Sequence, residues 1–81
     1  MIKGIPLSEA VTVEFVYRVN GQEIDAYMQD PKTGIVKDPV KLSRDWVYEL
    51  TQNAMRIFGL DYPTAFDIAV YLAYVKAVWG E

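Results

Sequence analysis

The sequence predicts an α+β fold in which a short antiparallel β-meander packs on two C-terminal helices. An alternating apolar segment followed by Asn20-Gly21 predicts a hairpin, and the second half of the chain has two long helical patterns. The chain of 81 residues has the length of a single domain. We assign residues 1–10 to an N-terminal arm or an edge strand.

The predicted hairpin spans residues 11–30. Apolar and polar residues alternate from Val11 to Val19, which is typical of a strand with one buried face. A two-residue turn at Asn20-Gly21 places Arg18 opposite Glu23 and puts the apolar residues of both strands on one face. The residues that we expect to face the helices are Val13, Phe15, Tyr17, Ile24 and Met28.

A third strand is predicted at residues 35–38. The segment 30–34 reads Asp-Pro-Lys-Thr-Gly, which is typical of a type I turn closed by a left-handed glycine. Asp38-Pro39 follows the apolar start of the strand. Because proline has no N–H to donate to a ladder, we expect this pair to end or bend the strand.

The two helices are predicted at about 43–58 and 62–79. Ser43 can cap the first helix, and Gly59 has the place of a glycine that ends one. Asp61 can cap the second helix. The predicted apolar stripe of the first helix consists of Trp46, Val47, Leu50, Ala54, Ile57 and Phe58.

The second helix is apolar on nearly every side. Asp67 and Lys76 are its charged residues, and they project in opposite directions. Such a helix is normally buried all round, and a two-layer domain of this size has too little material to surround it. The sequence therefore predicts assembly with a second copy, through Ala65, Ala69, Leu72, Ala73, Lys76 and Ala77. In the alternative, the alanine row, which consists of Ala65, Ala69, Ala73 and Ala77, packs against the first helix of the same chain.

Two groups of polar side chains are weaker candidates for a site. Asp67, Tyr71 and Tyr74 share one helix face, and the alternative role for the aspartate is a satisfied polar group near the helix start. Carboxylates on the polar face of the hairpin can in principle bind a hard divalent cation. The alternative for these carboxylates is an ordinary solvated strand face. They are Glu14, Glu23 and Asp25.

Composition restricts the kinds of function. The chain has no cysteine and no histidine, so disulfides, thiolate metal sites and histidine acid–base catalysis are excluded. No phosphate-binding loop or cofactor motif occurs, and we expect no cofactor. A net charge of −3 disfavours nucleic acid as a partner.

The sequence therefore favours a non-enzymatic protein-interaction or regulatory module that forms a homo-oligomer, with a dimer favoured. The exposed edge of the meander can also add a partner strand. We expect a cytoplasmic protein, because the N-terminus is unlike a secretory signal and the longest apolar stretch is shorter than the roughly 20 residues that span a bilayer.

Two alternatives remain open at this point. One is a nucleic-acid-associated regulator with Tyr27 near its cations. The other is a small-molecule pocket lined by tyrosine and tryptophan between the sheet and the helices. The cations of the first alternative are Lys32, Lys37, Lys41 and Arg44.

Overall fold

The computed structural model describes residues 13–80 and has the predicted α+β architecture. Three antiparallel strands, β1 (Glu14–Asn20), β2 (Glu23–Gln29) and β3 (Val36–Ser43), form one sheet in the order β1-β2-β3. Two helices follow, α1 (Arg44–Phe58) and α2 (Tyr62–Trp79), and they pack together against the sheet. The arm or edge strand predicted for residues 1–10 lies outside the described residues.

The hairpin forms, but its register differs from the predicted one by two residues. Asn20 pairs with Glu23, so the loop is Gly21-Gln22 instead of Asn20-Gly21. Gly21 has a φ of 64°, while Gln22 keeps a negative φ. This is the pattern of a type II′ turn, which takes glycine at its first central position.

The shift of two residues changes the cross-strand partners and preserves the two faces of the hairpin. Arg18 now lies opposite Asp25 instead of Glu23. On the face that we expected to contact the helices, Ile24 is buried, and Phe15, Tyr17 and Met28 are partly buried against the core. The prediction for Val13 was wrong, because this residue precedes β1 and is 40% exposed.

Strand β3 continues to Ser43, so Asp38-Pro39 does not end the strand but bends it, which was the other outcome predicted for this pair. Between Ala26 and Met28 of β2, the pairing shifts by one residue, which marks a β-bulge in β3. Asp38 has a φ of 52°, a left-handed conformation that aspartate tolerates better than most residues. Pro39 is accommodated because β3 is an edge strand and a bulge does not need its N–H.

Both helices begin as the sequence predicts. The Ser43 side chain accepts a hydrogen bond from the Trp46 N–H at 3.3 Å, and Asp61 accepts one from the Thr64 N–H at 3.3 Å. Gly59 ends α1 with a φ of 67°. The capping residues therefore fix where each helix starts, as their short polar side chains indicate.

The core lies between the sheet and the helices. From the predicted stripe of α1, Val47 and Ala54 are buried, whereas Ile57 and Phe58 are exposed by 65% and 68%. These two residues occupy the last turn before the chain reverses, and α2 does not cover them. Thr51, which the stripe omitted, is fully buried and donates its hydroxyl to the Val47 carbonyl at 2.8 Å.

Candidate functional site

Helix α2 has one side that is sealed inside the chain. The small side chains of Ala65, Ala69 and Ala73 are completely buried, as are Val70 and Tyr74. These three alanines therefore pack within the chain, which was the alternative prediction for the alanine row. A second copy cannot reach these alanines while the helices stay packed.

The other side of α2 carries a row of large apolar residues. Ile68, Tyr71, Leu72 and Trp79 are exposed by 39%, 43%, 53% and 58%, and Val75 between them is partly buried. Their spacing of three and four residues places them on one helix face. We call these five residues the α2 stripe.

The predicted interface is thus divided between the two sides of α2. Leu72 belongs to the α2 stripe, Lys76 is exposed beside it, and Ala77 is exposed on the opposite side of the helix, at the end of the alanine row. Because an exposed helix side cannot be told from a buried one when both are apolar, the sequence pattern mixed residues of the two sides. The stripe members Ile68, Val75 and Trp79 were missed for this reason.

Aromatic contacts join the α2 stripe to strand β1. The rings of Phe15 and Tyr71 meet edge to face with centroids 5.2 Å apart, and Phe15 and Tyr74 have centroids 5.0 Å apart. Tyr17 and Phe66 lie 5.9 Å apart in a similar arrangement. The stripe is therefore in contact with β1 through Tyr71.

A polar contact reinforces this junction. The Tyr17 hydroxyl donates a hydrogen bond to the Asp67 carboxylate. Burial, followed by this hydrogen bond and the charge of Asp67, raises the pKa of Tyr17 to about 12. The two residues are 50 positions apart, so no local pattern in the sequence indicates that they meet.

The predicted cluster of Asp67, Tyr71 and Tyr74 does not form a single site. Asp67 is bound by Tyr17, whereas the buried Tyr74 donates its hydroxyl to the Asp38 carbonyl at 3.0 Å. Burial raises the pKa of Tyr74, with a smaller contribution from Asp38. Tyr71 is exposed and contributes its ring to the aromatic junction.

The two edges of the sheet differ in character. The β3 edge contains the bulge at Asp38, Pro39 and two lysines, Lys37 and Lys41, all features that discourage another strand from pairing. Strand β1 pairs with β2 without a bulge and contains no proline. In the described part of the chain, no strand pairs with the outer edge of β1.

The predicted cations are partly engaged by neighbouring groups. The Lys41 ammonium lies 3.1 Å from Asp25 and 4.0 Å from Glu23, and the hydrogen bond to Asp25 raises the pKa of Lys41. The Arg44 guanidinium donates to the Gly21 carbonyl at 3.1 Å. Lys32 and Lys37 are exposed in the turn before β3 and in β3.

A shallow pocket of about 310 Å³ lies on β2 and β3, whereas the small-molecule alternative placed its pocket between the sheet and the helices. Tyr27 and Lys41 are among its lining residues, and no tryptophan lines it. Within residues 13–80, no group of three or more acidic side chains is arranged to hold a metal ion. In the same part of the chain, no helix is both long and apolar enough to cross a membrane.

Comparisons with protein-family models, with curated proteins and with solved structures find no match for this chain. Two surface features of the described residues are candidates for binding, namely the α2 stripe and the outer edge of β1.

Proposed function

We propose that this chain is a non-enzymatic protein-interaction module that assembles as a homo-oligomer, with a dimer as the favoured form, through the exposed side of α2. The observation that carries the proposal is the α2 stripe. Four of its large side chains are between 39% and 58% exposed, on a helix whose opposite side is fully buried. Contiguous apolar surface of this kind marks interaction sites on soluble domains.

The polar surroundings of the stripe support this proposal. Asp67 and Lys76, the charged residues of α2, flank the stripe on opposite sides of the helix. An apolar centre with charged residues at its rim is the usual composition of a protein–protein contact. These opposite charges also suit a contact between two identical surfaces, because Asp67 of one copy can lie near Lys76 of the other.

The size of the domain gives a second line of support. A chain of 81 residues buries a small core, and domains of this size often depend on a disulfide, a metal or a partner. Without cysteine, this chain has no disulfide. Burying the α2 stripe in an assembly adds apolar contact that a single copy leaves in water.

The charge distribution supports a protein partner over a nucleic acid. The chain has a net charge of −3, and a binding face for phosphates needs cations that are available to neutralise them. Lys41 is paired with Asp25, and Arg44 donates to a backbone carbonyl of the hairpin turn. The remaining members of the predicted cationic group do not make a basic surface.

The test is the solution mass by light scattering coupled to size exclusion, over a dilution series. We expect the unaltered chain to have twice its 9.2 kDa monomer mass. Leu72→Glu should give monomers because it places a charge in the centre of the stripe, and its helical circular dichroism should persist because Leu72 is 53% exposed.

Gln52→Glu is the matched control, since it adds the same charge on an exposed position of α1. This variant should assemble as the unaltered chain does. A chain that is monomeric at every concentration, or a Leu72→Glu variant that assembles normally, would contradict the proposal.

A further inference from the structure

The outer edge of β1 presents backbone groups that no strand in the described part of the chain uses. Asn20 and Glu23 close a two-residue loop, so Asn20 and every second residue before it make the hydrogen bonds of the hairpin. The N–H and C=O groups of Phe15, Tyr17 and Val19 therefore point outward. A regular strand with these groups exposed is a template for another strand.

The sequence of β1 is complementary to itself. When a second copy lies antiparallel about a two-fold axis at Val16, Glu14 lies opposite Arg18 of the second copy, and Arg18 lies opposite its Glu14. Phe15 and Tyr17 face each other across the same axis. In this register, the residues with outward backbone groups meet one another, as the hydrogen bonds require.

Other two-fold registers lose this complementarity. An axis at Phe15 or Tyr17 leaves both charges opposite uncharged residues. An axis at Glu14 or Arg18 places like charges directly opposite one another, which is unfavourable. The charges of β1 therefore select the axis at Val16.

The α2 stripe extends the surface that such a pairing would bury. Its exposed side chains offer roughly 400 Å² per copy, about half of the 800 Å² that each partner contributes to a stable interface. Tyr71 of the stripe contacts Phe15, and Asp67 beside the stripe accepts the Tyr17 hydroxyl, so this part of α2 lies next to β1. The stripe is thus near the strand through which the copies would pair.

We infer that two copies of this chain pair antiparallel through their β1 edges, about a two-fold axis at Val16, and join their sheets into one sheet of six strands. This inference rests on the proposed function, because it specifies the strand through which the copies meet. The α2 stripes flank the joined strands and complete the contact.

Cross-linking of Val16→Cys tests the position of the axis. Val16 of one copy would lie opposite Val16 of the other in a non-hydrogen-bonded pair. The two Cα atoms of such a pair are about 4.5 Å apart, which is within the range of a disulfide. The chain has no other cysteine, so a covalent dimer can form only through this position. Mild oxidation at low concentration should convert most of the variant to covalent dimer on a non-reducing gel.

Val19→Cys is the matched control for cross-linking. Val19 lies on the same strand and is 43% exposed. In the inferred register its two copies are roughly 20 Å apart, and this variant should remain free of covalent dimer. Equal cross-linking of the two variants would overturn the inferred register.

Exchange of charges tests the pairing independently and separates an antiparallel from a parallel arrangement. Glu14→Arg alone and Arg18→Glu alone each place like charges opposite one another. We therefore expect each variant to raise the dissociation constant of the dimer at least about tenfold. An equimolar mixture of the two variants restores opposite charges at both positions and should associate as the unaltered chain does. Thermal unfolding of each variant checks that the hairpin is retained.

Failure of the inference can be distinguished from failure of the proposed function. A dimer that is lost in Leu72→Glu, yet ignores the charge exchange and forms no Val16→Cys cross-link, overturns the β1 pairing and retains assembly through α2. A chain that is monomeric throughout overturns both.

Discussion

At the scale of single residues, Tyr74 connects the elements of the fold most directly. Its side chain is fully buried, its ring contacts Phe15 and Trp79, and its hydroxyl donates to the Asp38 carbonyl at 3.0 Å. The hydrogen bond joins α2 to the bulge of β3. It supplies a donor to a carbonyl that the bulge removes from the regular ladder.

We predict that Tyr74→Phe lowers the free energy of unfolding by about 1 kcal/mol, because the Asp38 carbonyl loses its donor. Urea denaturation followed by circular dichroism measures the change. Tyr71→Phe is the control, since Tyr71 is 43% exposed on the same helix, and its effect should stay within about 0.5 kcal/mol. Equal effects of the two variants would rule out a stabilising role for the Tyr74 hydroxyl.

The second residue-scale prediction concerns Tyr17, whose pKa is raised from 10.0 to about 12. Since the folded state holds this proton more tightly than the unfolded state, the stabilisation is complete below pH 10 and is lost as the pH rises through about 12. We predict that Asp67→Asn lowers the pKa of Tyr17. The pKa should stay above the ordinary value, because burial is its largest cause and remains.

Tyrosinate absorbance measures this pKa when the titration of Tyr17→Phe is subtracted. Asp45→Asn is the control, because Asp45 lies in the first turn of α1 and does not contact Tyr17. Its titration should match that of the unaltered chain. An unchanged pKa in Asp67→Asn would show that Asp67 does not influence Tyr17.

At the scale of elements, the contact between the helices depends on the alanine row. Ala73 is fully buried, whereas Ala77, one turn later, is exposed. We predict that Ala73→Leu lowers the free energy of unfolding by about 1–3 kcal/mol, because the larger side chain forces the packed elements apart. Ala77→Leu should change it by less than about 0.5 kcal/mol.

Chemical denaturation of the two variants provides the comparison. If Ala73→Leu is as stable as Ala77→Leu, close packing of this row does not hold the helices together. Far-ultraviolet circular dichroism should show the same helix content in both variants.

The elements themselves follow from short-range patterns. The capping residues Ser43 and Asp61 and the terminal Gly59 mark the helix ends, and alternation marks the first strand. Each of these signals is complete within a few residues. Local physical chemistry therefore suffices to predict the order of the elements and their approximate bounds.

The hairpin register was not predictable because distant contacts select it. Asn20-Gly21 and Gly21-Gln22 are both acceptable two-residue turns. In the structure, the Arg44 N–H donates to the Gln22 carbonyl at 3.0 Å, and the Arg44 side chain donates to the Gly21 carbonyl. The first residue of α1 thus stabilises the Gly21-Gln22 turn, although the sequence alone does not distinguish it from the Asn20-Gly21 turn.

The candidate site was predictable only in part, for a similar reason. The apolar character of α2 indicated an excess of apolar surface, but a helix apolar on every side gives no periodic signal for its exposed side. The exposed side is set by packing against α1 and the sheet. Leu72 was therefore identified, while Trp79 and Ile68 were not.

At the scale of the whole molecule, assembly should make thermal stability depend on protein concentration. We predict that a hundredfold increase in concentration raises the midpoint of thermal unfolding by about 5–10 °C, because mass action favours the folded assembly. Differential scanning fluorimetry over a concentration series measures this rise. Leu72→Glu should show a midpoint independent of concentration, and a constant midpoint in the unaltered chain would contradict assembly.

The bulge at Asp38 and Pro39 also limits how far copies of this chain can add to one another. If two copies pair at β1 as inferred, the joined sheet ends on both sides in a β3 strand. Each of these ends is kinked by the bulge and has a proline that cannot donate. In the inferred pairing, we therefore expect growth by strand addition to stop at two copies, and we expect no fibril from the apolar, strand-forming sequence that favours pairing.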